Sequence, residues 1–346
     1  MLLRDMIRTG GCTAMAFLGI AAFPAVANAY NFFNCGGNRV VWQNGWTNMW
    51  INTTSMPIGS VWDSRLQNAM SHWNNVKGSG FNFYVGRDTD GTFNNTNGVS
   101  EVYFTRGLGG PLAITYSRWN GNCNFTEADI GFDANYTWSV DPLDYGNLGA
   151  HFSFEGVALH ELGHALGLGH EDRGLATMNS LTPNGGPVGH WKEWEPLPDD
   201  RAGERALYPD STVETDIVGS VFRSTGGGNS GLVASPTSVY RGSPVNVDFT
   251  FHNLSTSWVS FNIGFYLSTD NYITTGDIPL GYNTGASASA GASGTYTRTL
   301  TIPSNVAPGQ YYLGFIVDYD NKIGESVESN NYMEMPRPIT VYAAGS

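Results

Sequence analysis

His160, Glu161, His164 and His170 stand at spacings that suit one metal ion and one proton acceptor. On an α-helix, residues four apart share a face about 6 Å apart, so His160 and His164 can aim ring nitrogens at the same ion. Glu161 follows the first of them by one position, about 100° round the helix, beside the coordination position that the rings leave open. It is placed as a base rather than a ligand. His170 cannot reach the ion from the same helix, because six residues beyond His164 the direction is rotated by roughly 240° and advanced by about 9 Å. The helix must end first, and Gly167 can take the positive φ that ends it and turns the chain back. Three neutral imidazoles and a water leave zinc one exchangeable position, which is the arrangement of a catalytic site rather than a closed structural one. The bland alternative, three histidines on a helix surface, requires none of these spacings.

The run from His160 to His170 resembles the H-E-x-x-H-x-x-G-x-x-H signature of the metzincin metallopeptidases. Their methionine turn has a counterpart in Ala176-Thr177-Met178-Asn179-Ser180, where Met178 follows His170 by eight residues, the spacing of the matrixin branch. The resemblance makes Met178 a soft apolar floor beneath the three rings. Residues 127–133 are similar to the acidic strand that precedes the active-site helix in matrixins, and 197–208 to the start of their closing helix. Asp199 or Asp200 reads as the cap of that helix, or as a buried tie to the methionine turn. The structural zinc of vertebrate matrixins needs further histidines near the acidic strand. None occurs between His72 and His151, so a single zinc is expected. Asp129 and Asp133 offer hard oxygens to calcium, the other reading being a solvated acidic loop. The resemblance implies an endopeptidase in which zinc acidifies a water and polarises the scissile carbonyl, while Glu161 takes the proton and returns it to the leaving amine. The turn reads Met178-Asn179-Ser180, without the tyrosine ligand of astacins.

Other elements must position this set. Ser60 with Asp63 three residues on is a Ser-x-x-Asp capping box, and Trp62, Leu66, Ala69, Met70, Trp73 and Val76 keep helical period after it. Strand-like runs are expected at 81–85, 101–105, 112–116 and 128–132, separated by Gly- and Asn-rich turns. The resemblance makes 112–116 the candidate edge strand for an extended substrate, against an ordinary buried strand. The metal helix should run from about Ser153 to Gly167. Residues 181–194 are expected to supply part of the specificity pocket. The resemblance then implies an α+β fold class: a metzincin-like zincin domain, with a twisted mixed sheet and three main helices, over 30–211.

Of the 346 residues, 41% are hydrophobic and 13% aromatic, enough for about two domains with real cores. Residues 1–29 read as a secretory signal: Arg4 and Arg8, an apolar run from Ala14 to Val26, and Ala27-Asn28-Ala29 as an A-x-A site. That run is too short for a membrane span, so a soluble, exported, extracellular protein is expected. Cleavage leaves Cys35 and Cys123, and an isolated pair in an oxidising compartment closes as one disulfide. A matrixin-style latency cysteine would have to be Cys35, but Cys35-Gly36-Gly37-Asn38 lacks the residues around that switch, and the chain before it is too short for a pro-domain. The net charge of -13 disfavours nucleic acid and anionic membranes as partners.

After Tyr208-Pro209 the composition turns to Ser, Thr and Gly, and 212–232 reads as a linker that carries a short strand at 217–222. Alternating runs at 245–251, 261–267, 296–302 and 311–319 then predict an all-β immunoglobulin-like sandwich over 233–346. The stretch 309–331, with Asp318-Tyr319-Asp320-Asn321 at a turn, resembles the CARDB module of bacterial extracellular proteins. The resemblance implies attachment to cells, matrix or large substrates. Two functional classes follow: a secreted zinc endopeptidase acting on proteins or peptides, and an adhesion protein whose sandwich carries the function and whose metal site is vestigial. The intact Glu161 favours the first.

Overall fold

Side chains alternate across a strand, so a sheet covered on one face must bury every second residue. Strand β1 (Trp46–Asn52) does this, burying Thr47, Met49 and Ile51 and leaving Trp46, Asn48 and Trp50 exposed. The computed structural model describes residues 30–89, 96–141, 151–171, 176–180, 195–220, 234–235, 237–334 and 338–343. The expected signal at 1–29, the pocket segment 181–194 and most of the linker, 221–232, lie outside them.

After β1 come helix α1 (Val61–Asn74), β2 (Asn82–Asp88), β3 (Ser100–Thr105), β4 (Ala113–Trp119), β5 (Phe125–Asp133), α2 (Phe154–Leu166) and α3 (Pro198–Leu207). The sheet order is β2-β1-β3-β5-β4. All neighbours run parallel except β4, which lies antiparallel to β5 at the edge, so the expected edge strand is where the resemblance put it. Helices α1 and α2 cover the inner face. Leu66, Met70 and Trp73 of the first and Leu159, Leu162 and Leu166 of the second share one core with Met49, Ile51, Phe83, Ile130 and Phe132. Trp73 resolves its one polar atom by donating from Nε1 to Leu159 O at 3.0 Å. The Ser60 hydroxyl accepts from Asp63 N at 3.2 Å as the capping box predicts. The Asp63 carboxylate, however, takes Gly59 N and the Arg87 guanidinium instead of closing the box on Ser60. Cys35 and Cys123 form the expected disulfide, with Cα atoms 5.6 Å apart, and fasten the N-terminal segment to the β4–β5 turn.

The second half is a two-sheet sandwich. In one sheet, β7 (Pro244–Asn253) pairs with β6 (Ile217–Ser220), with Ala234–Ser235 and along its whole length with β10 (Ser293–Thr301). In the other, β8 (Val259–Ser268) lies between β9 (Ile278–Ala288) and β11 (Gly309–Val317). Ile217, Phe249, Phe251, Ile263, Phe265, Leu313 and Phe315 fill the space between the sheets. The stretch 212–232 is therefore not only a linker. Its strand β6 supplies Ile217 to the sandwich core, and its Val218 packs with Leu254 of the sandwich and Ala202 of α3, with Tyr30 against them.

Candidate active site

Helix α2 begins where the Ser153 hydroxyl accepts from Gly156 N at 3.1 Å and ends at Gly167, whose φ is 122°. A Cβ there would lie 3.0 Å from Val40 O and 3.2 Å from Leu207 Cδ1, so both the turn and its packing require glycine. The carbonyls freed at this end are taken by side chains: Trp42 Nε1 donates to Ala165 O at 2.8 Å and the Tyr208 hydroxyl to Leu166 O at 2.7 Å. Leu168–Gly169 then pairs antiparallel with Asn31–Phe32, and Asn31 Nδ2 donates to His170 O at 2.7 Å, which delivers His170 back to the helix.

The three rings converge. His170 Nε2 lies 3.3 Å from His160 Nε2 and 3.1 Å from His164 Nε2. His160 Nδ1 is 2.8 Å from Thr177 O and His164 Nδ1 is 2.8 Å from Leu168 O. A carbonyl only accepts, so both Nδ1 atoms carry the hydrogen and both Nε2 atoms present lone pairs to the common centre. Burial pushes His164 well below the usual histidine range, which keeps it neutral and able to coordinate. The His160 and His164 lone pairs thus both face His170 Nε2, an arrangement that a cation at the common centre satisfies. Zinc–nitrogen bonds of about 2.0–2.1 Å in tetrahedral geometry put ligand nitrogens about 3.3 Å apart, so the residues fit that ion. Among the described residues this is the one His/Cys/Asp/Glu group with metal-holding geometry.

Glu161 is buried beside the rings. Burial pushes its carboxyl up to about 7, opposed by a hydrogen bond from Thr115 and by His170. The Thr115 hydroxyl lies 2.6 Å from Glu161 Oε2. Met178 is buried in the same core, and its Sδ would lie 2.2 Å from a Cβ on Gly163. Gly163 is thus a site residue that the motif leaves unspecified. Its signal is a glycine inside a helix, where it costs about 1 kcal/mol against alanine and calls for a close approach to explain it.

Helix α3 starts at Pro198, so neither Asp199 nor Asp200 occupies the N-cap expected for one of them. Asp200, at the third helical position, still caps the helix by accepting from the N-cap Leu197 N, and it is the buried tie as well. Its carboxylate accepts from Thr177 N at 2.6 Å, Met178 N at 3.1 Å and Leu197 N at 3.0 Å, while burial pushes it up to about 6 against those donors. Through Thr177 O, which receives His160 Nδ1, this carboxylate acts on the ring that faces the metal.

Asp129 and Asp133 do not share a site. Four residues apart on one strand, they are separated by about 13 Å. Asp133 accepts from Leu108 N and Asn135 N, closing its own turn. Asp129 is fully buried with Glu101 and Glu127 beside it, and burial first, then those carboxylates, pushes it up to about 7. Of the remaining histidines, His252 is a packing residue held neutral by burial and His72 lies 3.6 Å from Glu155, while His190 falls outside the described residues.

Residues 46–209 match the family model described as Matrixin, and residues 232–335 match CARDB. Among curated proteins, Metalloendoproteinase 4-MMP of Arabidopsis thaliana is 34% identical over 34% of this chain and 30% of its own length. Matrix metalloproteinase-25 of Homo sapiens is 36% identical over 30% of this chain and 16% of its own. The chain thus spans less than a third of the length of these two relatives. Among solved structures, the CARDB domain of a Pyrococcus furiosus protein is similar over 39% of this chain and 100% of its own, at 16% identity and a TM-score of 0.28.

Proposed function

We propose, from the premise that residues 46–209 are a matrixin domain and residues 232–335 a CARDB domain, that this chain is a secreted zinc endopeptidase that cleaves extracellular proteins. The observation that carries the reading is the convergence of the His160, His164 and His170 Nε2 atoms beside a buried Glu161. Zinc, when bound, supplies the positive charge that acidifies a water and polarises a carbonyl. The protein does the rest. Thr177 O and Leu168 O fix two imidazoles in the ligating tautomer. Glu161 takes the proton of the attacking water and gives it to the departing amine. Strand β4 lies at the edge of the sheet among the described residues, and there an extended peptide adds by main-chain hydrogen bonds, crossing the site beside Thr115.

Export is supported by the disulfide and the signal-like 1–29, and no described helix is long and apolar enough to cross a membrane. Attachment to cells, matrix or large substrates belongs to the C-terminal module. The test is casein hydrolysis by the full-length mature chain. Activity should vanish on chelation and return with stoichiometric zinc. A chain that binds zinc at His160, His164 and His170 yet cleaves neither casein nor a peptide library would leave the adhesive reading in its place.

Asp129 supports a pH dependence rather than a calcium site: among the described residues it forms no metal-holding group with Glu101 and Glu127, and two backbone N–H groups already occupy the Asp133 oxygens. With Asp129 at about 7 in the folded protein and 3.8 ordinarily, the unfolded chain releases this proton first. The stability this group contributes is present below that ordinary value and is lost as pH rises to about 7. The midpoint of thermal unfolding should therefore fall between pH 5 and pH 8, and Asp129→Asn should flatten that fall; an equally steep fall in the variant removes Asp129 as its source.

A further inference from the structure

We infer that Thr115 is a positioning residue for Glu161, holding one carboxylate oxygen so that the other faces the reacting water; this rests on the reading of Glu161 as the base. Thr115 lies on β4, with Ala113 on the same face of the strand, and that face turns toward α2. Its hydroxyl has one hydrogen and two acceptors in reach, Glu161 Oε2 at 2.6 Å and Glu161 O at 3.0 Å. The shorter contact to the group able to carry charge takes the hydrogen, because a charge-assisted bond is about twice as strong as a neutral one. The main-chain oxygen also has its place in the helical ladder of α2. Threonine is stiff at χ1, so the hydroxyl is held by the strand rather than by a free rotor.

Glu161 gains from this restraint. Its side chain has three rotatable bonds, and His160 and His164 fix the position of the ion but not the plane of the carboxylate. A carboxylate anchored through Oε2 keeps Oε1 as its acting oxygen in every turnover. The anchor also sits on the strand that receives substrate, so one element sets both the register of the peptide and the orientation of the base. The H-E-x-x-H-x-x-G-x-x-H motif contains no part of this arrangement, since Thr115 lies 46 positions before Glu161.

The experiment compares Thr115→Val, which keeps the shape and removes the hydroxyl, with Thr115→Ser, which keeps the hydroxyl, in the zinc-loaded full-length chain acting on a short fluorogenic peptide. Thr115→Val should lower kcat by about 10- to 100-fold, a fraction of what general-base catalysis supplies, with KM within about twofold. Thr115→Ser should recover to within about threefold of wild type. Zinc affinity, read by chelator competition, should not change in either. Added to Glu161→Gln, the valine change should cost nothing more, as for two residues acting as one unit. Unchanged kcat in Thr115→Val, a loss confined to KM, or a serine variant as slow as the valine variant overturns the inference. If Glu161→Gln itself keeps wild-type activity, the underlying assignment of the base fails instead, whatever Thr115 does.

Discussion

Replacing Glu161 by glutamine should lower kcat/KM for peptide hydrolysis by about 10²- to 10⁴-fold while zinc stays bound at wild-type stoichiometry. Glutamine has nearly the volume of glutamate and can still meet the Thr115 hydroxyl, so the fold and the metal pocket keep their shape. What it lacks is an oxygen able to accept a proton from water. The converging Nε2 atoms belong to His160, His164 and His170, and the Nδ1 contacts of the first two run to main-chain carbonyls, at Thr177 and Leu168, rather than to the Glu161 carboxylate. Paired measurements of turnover and bound zinc separate chemistry from metal loss. Retention of more than a tenth of wild-type kcat/KM in the zinc-replete variant defeats the assignment.

Asp200→Ala is expected to destabilise the protein by about 3–5 kcal/mol, which places it among the most damaging single changes available. The carboxylate is 1% exposed and gathers three main-chain N–H groups, of Thr177, Met178 and Leu197. Alanine takes the acceptor from Thr177 N and Met178 N, while Leu197 N keeps only Thr177 Oγ1 at 3.2 Å, and each buried unsatisfied donor costs about 1–3 kcal/mol. Asp200→Asn keeps the size but has one acceptor oxygen and turns an NH₂ toward donors, so it should recover only part of the loss. Calorimetric unfolding of the three proteins gives the ranking, and zinc affinity should fall in the same order, since Thr177 O orients His160. An alanine variant that melts within a few degrees of wild type would mean that the methionine turn does not depend on this carboxylate.

How legible these features are in the sequence depends on where their causes lie. The candidate ligands, the candidate base and Gly167 sit within eleven consecutive residues, and helical geometry with the glycine stop relates them, so local spacing is enough. Helix α2 ends on Gly167 as expected because its stop signal is also local. Strand β1 is not among the expected elements: Trp46-Thr47-Asn48-Met49-Trp50 mixes aromatics with asparagine, and its strand character comes from β2 and β3 on either side. The same holds for β9, whose Gly-Tyr-Asn-Thr-Gly reads as turn and becomes strand by pairing with β8. Asp200 shows why a cap and a tie cannot be told apart from sequence. Both need a short carboxylate at the start of a helix, and Asp200 serves as both: the contact to Leu197 is local, while the one to Thr177, 23 residues away, appears only in the fold. Thr115 and Gly163 carry no motif at all, because their partners, Glu161 and Met178, become neighbours only when strand, helix and turn are stacked.

Helix α3 has two sides with different duties. Asp200 grips the methionine turn from one, while from the other Arg205 reaches Glu214 at 2.7 Å and Ala202 meets Val218 and Leu254 of the sandwich. The main chain at 214–216 is itself laced to 254–256, by Leu254 N to Asp216 O at 2.8 Å and Thr256 N to Glu214 O at 2.9 Å. The joint between the two halves is therefore a load path rather than a tether. A displacement of the sandwich is thereby transmitted through β6, Arg205 and α3 to the turn that holds Met178.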